Sequence, residues 1–348
     1  MTHDRTEADS FHWTGRRVAV TGATGFIGYH LCRALTAAGA DVTALVRAFS
    51  DTSRLTPLGV RCQMAPLDEV RLLTDACRGR EFLFHLAGAV DFNNDWDQCR
   101  KVNVGGTANI LAAATRSGVR RIVHASSIVA VGATPDPVGL DESSHWNLAS
   151  KRVPYVTTKH EGESLALQLR DGPEVVVINP ASVIGPDDFA GSEFGVQCRR
   201  FWQGRIPLVF GGGNNFVDVR DVAAGMLRVA ERGRAGERYI LGGTNLSYTS
   251  FNSKLAALAP RPIPRLRLPT EFARLGAMLG DRFKKKRSKR PLLTSAQARL
   301  LGLFFYYDCS KAYRELGYSI RPLRDTLADT YRFWMAGKGD SRRSTHAS

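Results

Sequence analysis

The feature that most constrains this chain is a glycine turn set between a strand and a helix. The apolar run Arg17–Thr21 leads straight into Thr21-Gly22-Ala23-Thr24-Gly25-Phe26-Ile27-Gly28, and a helical pattern follows over Ile27–Ala38. A second strand pattern, Asp41–Val46, comes next. That order is the opening of a dinucleotide-binding α/β unit. Gly22 suits the tight turn, Gly25 lets backbone approach a pyrophosphate, and Gly28 lets the helix pack close to the strand. The helix N-terminus would offer free N–H groups and the positive end of its dipole to the phosphates. Thr24, Phe26 and Ile27 complete the loop and are counted with Gly22, Gly25 and Gly28 as candidate cofactor-binding residues.

Further short β-branched runs alternate with helical patterns. Arg61–Met64, Glu81–Ala87, Arg121–Ser126 and Glu174–Asn179 read as strands, with helices over Asp97–Ser117 and Val156–Arg170. Strands separated by helices imply parallel pairing through right-handed crossovers. Their nearly continuous apolar character fits a sheet covered on both faces. The expected fold is α/β, a Rossmann-type doubly wound parallel sheet with a smaller C-terminal α/β substrate-binding region. The nucleotide-binding part should span 15–180 and the substrate region 181–336, interleaved with the core. Residues 1–14 and 337–348 are expected to be flexible tails. Beyond residue 180, Gly211-Gly212-Gly213-Asn214-Asn215 reads as a turn cluster. Arg220–Glu231 and Leu323–Ala336 read as helices, Arg238–Leu241 as a short strand, and Leu300–Tyr307 as a core strand or a pocket wall.

Composition excludes several classes. No apolar run approaches the roughly 18 residues needed to cross a bilayer, and Met1 to His12 lacks the basic start and apolar stretch of a secretory signal. A cytoplasmic location is expected. The six cysteines are scattered without CxxC pairs or a histidine cluster, so neither a metal site nor a disulfide framework is expected. Of the net charge of +15, a part is concentrated over 284–290, Lys284-Lys285-Lys286-Arg287-Ser288-Lys289-Arg290. No nucleic-acid module accompanies this run, so no nucleic-acid partner is expected. A solvated basic loop is the plain reading. Thr270–Arg290 mixes Phe272, Leu275, Met278, Leu279 and Phe283 with that basic end, which leaves peripheral membrane contact open.

The end of the second strand bears on cofactor choice. An NAD site usually places an acid there for the ribose 2′-hydroxyl. Here Val46 is followed by Arg47, which could pair with the 2′-phosphate of NADP. NADP(H) is therefore favoured over NAD(H), with nearby Asp51 as the feature against it. Tyr155 and Lys159 lie four apart, on one face of a helix. A phenol titrates near pH 10, and an adjacent ammonium favours its phenolate. Such a tyrosine could exchange a proton with a substrate oxygen. Ser126 and Ser127 follow the fifth strand, at the sheet edge where ligands bind in open α/β folds. A hydroxyl there could polarise a substrate carbonyl.

Together TGATGFIG, HLAG (85–88), VNVGGT (102–107), HASSIVAVG (124–132), YVTTK, NPASVIGP (179–186) and FVDVRDVA (216–223) resemble, in order, the extended short-chain dehydrogenase/reductases over roughly residues 15–335. Within them the chain is most similar to the dihydroflavonol-reductase-like and hopanoid-associated sugar-epimerase-like branch of the NAD-dependent epimerase/dehydratases. The resemblance implies Ser127, five residues before Gly132, as the catalytic serine and Ser126 as its neighbour on the cofactor side. It implies Tyr155 as acid/base, Lys159 as its partner, and Asn103 as a supporting residue on a helix. Pro180 and Val183 would line the nicotinamide, and Ala87 and Gly88 its ribose. For His85 and His124, strand-end packing is the expectation. A helix-mediated homodimer is left open. Two departures matter. Met64-Ala65-Pro66 stands where relatives carry Gly-Asp-Leu for adenine, with Asp68 further on. Asn214-Asn215 stands where nucleotide-sugar members carry an arginine for the substrate pyrophosphate.

The leading expectation is an NADP(H)-dependent ketone reductase or secondary-alcohol dehydrogenase acting on a fairly apolar small molecule. The alternative is a sugar or nucleotide-sugar epimerase or dehydratase that holds NAD tightly. A third reading, a non-catalytic dinucleotide sensor, fits poorly with Ser127, Tyr155 and Lys159 all being present.

Overall fold

The computed structural model describes residues 11–92, 94–206, 208–259, 266–267 and 294–336. Residues 1–10, the whole of Thr270–Arg290 with its basic segment 284–290, and the tail from 337 lie outside the described residues.

Seven parallel strands form the central sheet: β1 (Arg17–Thr21), β2 (Asp41–Val46), β3 (Arg61–Met64), β4 (Phe82–His85), β5 (Arg121–Ala125), β6 (Glu174–Pro180) and, later in the chain, β10 (Arg238–Leu241). Their spatial order is β10-β6-β5-β4-β1-β2-β3. The order reverses between β1 and β4, and the crevice beyond the carboxyl ends of those two strands is where this architecture binds ligands. Val18, Ala19, Val20, Leu83, Phe84, Val176, Val177 and Ile178 are buried, because helices cover both faces. On one side lie α1 (Phe26–Ala37) and α7 (Val219–Arg232). On the other lie α2 (Val70–Cys77), α4 (Gly106–Ser117) and α5 (Pro154–Gln168).

The helix before α5 is not uniform. A short turn, α3 (Trp96–Cys99), and α4 are joined by Arg100–Gly105 wound as a wide π-type turn. Such widened turns often mark functional sites, and this one carries Asn103.

A second sheet forms beside the first. It contains β7 (Ser182–Ile184), β9 (Gly213–Asp218), β11 (Thr244–Ser247) and β13 (Phe304–Phe305), with β9 pairing with all three others. A two-stranded pair, β8 (Leu208–Val209) with β12 (Leu266–Arg267), stands apart. The C-terminal region has its own core, in which Trp202, Phe216 and Phe251 pack with α6 (Glu193–Trp202), α8 (Tyr248–Ala256) and α11 (Leu323–Met335). The short helices α9 (Ser295–Leu300) and α10 (Ser310–Leu316) complete this region.

Three expectations are corrected. The turn expected over 211–215 gives way at Gly213, where β9 begins. Gly213 is held against β11, and the buried Asn214 and Asn215 satisfy their polarity internally. Of the strand expected over Leu300–Tyr307, Phe304–Phe305 is extended and paired and Tyr307 bridges Leu140, while Leu300–Leu303 is not strand. Residues 11–14 do not belong to a loose tail: Trp13 is 5% exposed, packs against Phe11, Phe82 and Phe84, and donates from Nε1 to Glu231 at 2.6 Å.

Candidate active site

The nucleotide end is made of backbone. Gly22 has φ +70°, and a Cβ there would come within 2.7 Å of the Ala87 nitrogen. A Cβ on Gly28 would lie 2.1 Å from the Gly22 carbonyl oxygen. The turn therefore admits only glycine at both positions. It closes with Gly25 N donating to Gly22 O at 3.0 Å. Helix α1 then starts at Gly25 with no side-chain cap and no acid in its first turn, among Thr24, Phe26 and Ile27. Its N–H groups and positive dipole end thus face the crevice uncompensated, which suits a pyrophosphate. Across the crevice, the Ala87 nitrogen donates to Thr21 Oγ1 at 3.1 Å, tying the HLAG turn to β1. These features fit a dinucleotide, and the residues that would hold it are those of the glycine turn and of the β4 end.

At the end of β2, Arg47 is exposed and makes no ion pair with another described residue. Its backbone nitrogen donates to Ser50 Oγ at 3.2 Å. Asp51 turns instead toward Arg54, at 3.9 Å. Asp68, past β3, pairs with Lys101 at 3.1 Å on the surface.

The catalytic end is made of buried side chains. Ser126 and Ser127 lie just past β5, 7% and 8% exposed. Ser127 and Tyr155 share a side-chain hydrogen bond. Lys159, 9% exposed, donates from Nζ to the Ala125 carbonyl at 2.7 Å. Asn103 accepts from Ala89 N at 2.8 Å and donates to Ala89 O at 3.0 Å and to Thr158 Oγ1 at 3.0 Å. The π-type turn thereby fixes both the loop after Gly88 and the helix carrying Tyr155. Gly88 lies beside Lys159: a Cβ on it would stand 3.7 Å from Nζ. Pro180 closes β6, and Val183 lies on β7. The structure thus gathers Ser127, Tyr155, Lys159 and Asn103 at the carboxyl ends of β4, β5 and β6, with Arg47 at the far end of β2.

The electrostatics differ from those expected of a tyrosine–lysine pair. Burial pushes the Tyr155 phenol up, while the hydrogen bond with Ser127 works against it. Burial lowers Lys159 to about 8, opposed by the negative charge of Glu163. In the protein alone the phenol is therefore a neutral acid at neutral pH, rather than a phenolate. Beneath the pair, His85 bonds Thr21 Oγ1 at 2.8 Å and Thr107 Oγ1 at 3.3 Å, and Thr107 donates to Asn103 O at 2.7 Å. Burial brings His85 down to about 3 and His124 well below the ordinary histidine range. Both are neutral packing residues under the site.

The sequence reading did not single out Glu163, Asn179 and Arg238. Only the spacing of Glu163, four residues past Lys159, hinted at it.

A family model described as the NAD dependent epimerase/dehydratase family matches residues 18–242. The chain belongs to this family. Its members of this extended short-chain dehydrogenase/reductase type are NAD(P)-dependent oxidoreductases or epimerases, and so is this chain. It is 34% identical over 92% of its length, and 98% of the other chain, to sterol demethylase protein B of Methylococcus capsulatus. It is 32% identical over 92%, and 94% of the other chain, to a Synechocystis protein described as a dihydroflavonol 4-reductase. Among solved structures, a nucleoside-diphosphate-sugar epimerase from Pseudomonas aeruginosa superposes with a TM-score of 0.77 at 28% identity, covering 93% of this chain and 98% of the other. Among the described residues, no helix of this family member is long and apolar enough to cross a membrane, and no group of histidine, cysteine and carboxylate side chains could hold a metal ion.

Proposed function

We propose that the chain is an NADP(H)-dependent oxidoreductase that moves hydride between the cofactor and a ketone or secondary alcohol on a fairly apolar molecule. Asn214 carries this reading. It stands where nucleotide-sugar members carry an arginine, is 6% exposed, and is engaged by the Asn215 N–H and the Tyr248 hydroxyl. A substrate diphosphate would meet no cation at that position. The loop beside the site brings two apolar side chains to it: Val90 is 66% exposed and the Phe92 ring sets its edge on Tyr155 at 5.2 Å. The names of the two sequence relatives, which refer to a sterol and a dihydroflavonol, denote weakly polar fused-ring molecules.

The cofactor supplies or accepts the hydride. Tyr155, held protonated by burial, gives its proton to the substrate oxygen in the reducing direction. Ser127 donates a hydrogen bond to that oxygen as charge develops on it. Lys159 stabilises the phenolate that remains and holds the nicotinamide ribose. Exposed Arg47 supports NADP(H), because its guanidinium is available to a 2′-phosphate at the end of β2.

The test is a panel of ketones, sterols, flavonoids and sugar nucleotides with NADPH and NADH, read by cofactor fluorescence. The expected result is NADPH consumed in step with an apolar ketone. Cofactor retained through purification, with turnover of a sugar nucleotide and no net oxidation, would instead establish the second reading, an epimerase or dehydratase. That reading is favoured by the likeness to the Pseudomonas aeruginosa enzyme.

A further inference from the structure

Glu163 is a buried carboxylate that the chemistry above leaves unused. It follows Lys159 by four residues on α5, so Tyr155, Lys159 and Glu163 form one stripe along the helix. The residue is 2% exposed, where an unpaired carboxylate would be strongly unfavourable. Each of its oxygens has a partner from a different strand. Arg238 Nη1, on β10, donates to Oε1 at 2.9 Å. Asn179 Nδ2, on β6, donates to Oε2 at 2.6 Å. The same Asn179 nitrogen donates to the backbone carbonyl of Ser127 at 3.0 Å. Turning that amide over would aim its oxygen at two acceptors, so chemistry fixes its orientation even though Oδ1 is left buried without a partner. Arg238 in turn donates to Glu142 O at 2.7 Å and Ser144 O at 2.9 Å, pinning the loop that leads into α5.

We propose that Glu163 is a positioning residue for the Ser127–Tyr155–Lys159 site, setting the Ser127 backbone through Asn179 and supplying the counter-charge of the Lys159 ammonium. This rests on the reading of Tyr155 and Lys159 as the reacting pair. Lys159 is faced by His85 from β4, by His124 from β5, and by Tyr155 and Glu163 from its own helix. Burial keeps both histidines uncharged and Tyr155 protonated. Glu163 is the anion among these four, and its charge opposes the burial that drives Lys159 down. A carboxylate serving α5 packing alone would need no route to Ser127, yet the Asn179 amide provides one.

The test uses the full chain without cofactor or substrate. Competitive acetylation of Lys159 by acetic anhydride, read by mass spectrometry across pH, should give a midpoint near 8 in the native protein. In Glu163→Gln the midpoint should fall by about one pH unit, the order expected for loss of one nearby opposite charge. In Asn179→Ala it should stay at the native value, while hydrogen exchange over 126–132 quickens in both variants. A purely structural role for Glu163 would loosen the segment without moving the midpoint. Should Glu163→Gln fail to fold, Glu163→Gln with Arg238→Gln removes both charges of the pair, and hydrogen exchange over 126–132 is then the deciding measurement. A folded Glu163→Gln variant with an unmoved Lys159 midpoint, or either variant with native exchange over 126–132, overturns the proposal. Since neither readout needs turnover, this outcome is independent of whether the chain proves to be a reductase.

Discussion

The two ends of the cleft are built from different materials. At the nucleotide end, the work falls to backbone: a glycine turn, an uncapped helix start, and a single exposed guanidinium at Arg47. At the catalytic end, Ser127, Lys159, Asn103, Glu163 and Asn179 are all buried and bonded to one another's elements. The first end is sensitive to volume, since a single added carbon collides with main chain. The second is sensitive to charge, since burial amplifies every change of protonation. A dinucleotide presents a large anionic surface that many N–H groups can share, whereas proton transfer depends on one oxygen with one affinity for a proton.

Tyr155→Phe is the largest expected break in this contrast. Loss of the phenol should lower the rate of NADPH consumption by about 10²–10⁴-fold, with NADPH binding and Tm close to native. Substantial residual turnover would move the proton-transfer role away from Tyr155. Next comes Gly28→Ala, which attacks the nucleotide end by volume. Its Cβ would stand 2.1 Å from a carbonyl oxygen, and strain of about 1–3 kcal/mol should weaken NADPH binding roughly 5- to 150-fold by fluorescence titration. Native affinity in that variant would mean the turn can widen. Arg47→Ala sharpens the cofactor question: about tenfold weaker NADPH binding, the low end for an exposed charge-assisted contact, with NADH binding unchanged. Equal effects on both cofactors would remove the 2′-phosphate from the account.

The smallest effect is in the acid stability of the catalytic end. His85 and His124 are held neutral in the fold, whereas unfolded imidazoles take up protons near pH 6.5. Their contribution is complete above that pH and is lost as pH falls toward 3, where His85 is charged in the fold as well. His124→Leu should therefore flatten the decline of Tm between pH 7 and pH 5 by a few degrees. An unaltered slope would show that His124 does not contribute to it.

The first half of the molecule was legible because its signals are local. The bounds of β1, β2 and β3 coincide with the runs that suggested them; β1 and β2 are largely apolar because both their faces are buried, whereas β3, at the sheet edge, is mostly exposed and carries Arg61 and Gln63. The Tyr155–Lys159 spacing, equally local, placed both residues on one helix face. What sequence could not convey was solvent. Spacing suggests that Lys159 makes Tyr155 acidic, but burial outweighs that influence, and the lysine nitrogen is taken by Ala125 O. Nor could it convey partners distant in the chain, such as Arg238, which is 75 residues from Glu163. Gly213, Asn214 and Asn215 misled because turn-forming residues are also what a strand needs where Tyr306 crowds it and side-chain amides must bond each other.

The π-type winding over Arg100–Gly105 has a consequence for how this helix can vary. A widened turn holds one residue more than ordinary pitch requires, so removing a single amino acid there would let the helix regularise without disturbing its ends. The helix would gain regularity, yet Asn103 would swing by roughly 100° about the axis and release both Ala89 and Thr158. Selection for a more stable helix and selection for an ordered cleft therefore pull in opposite directions at this one segment.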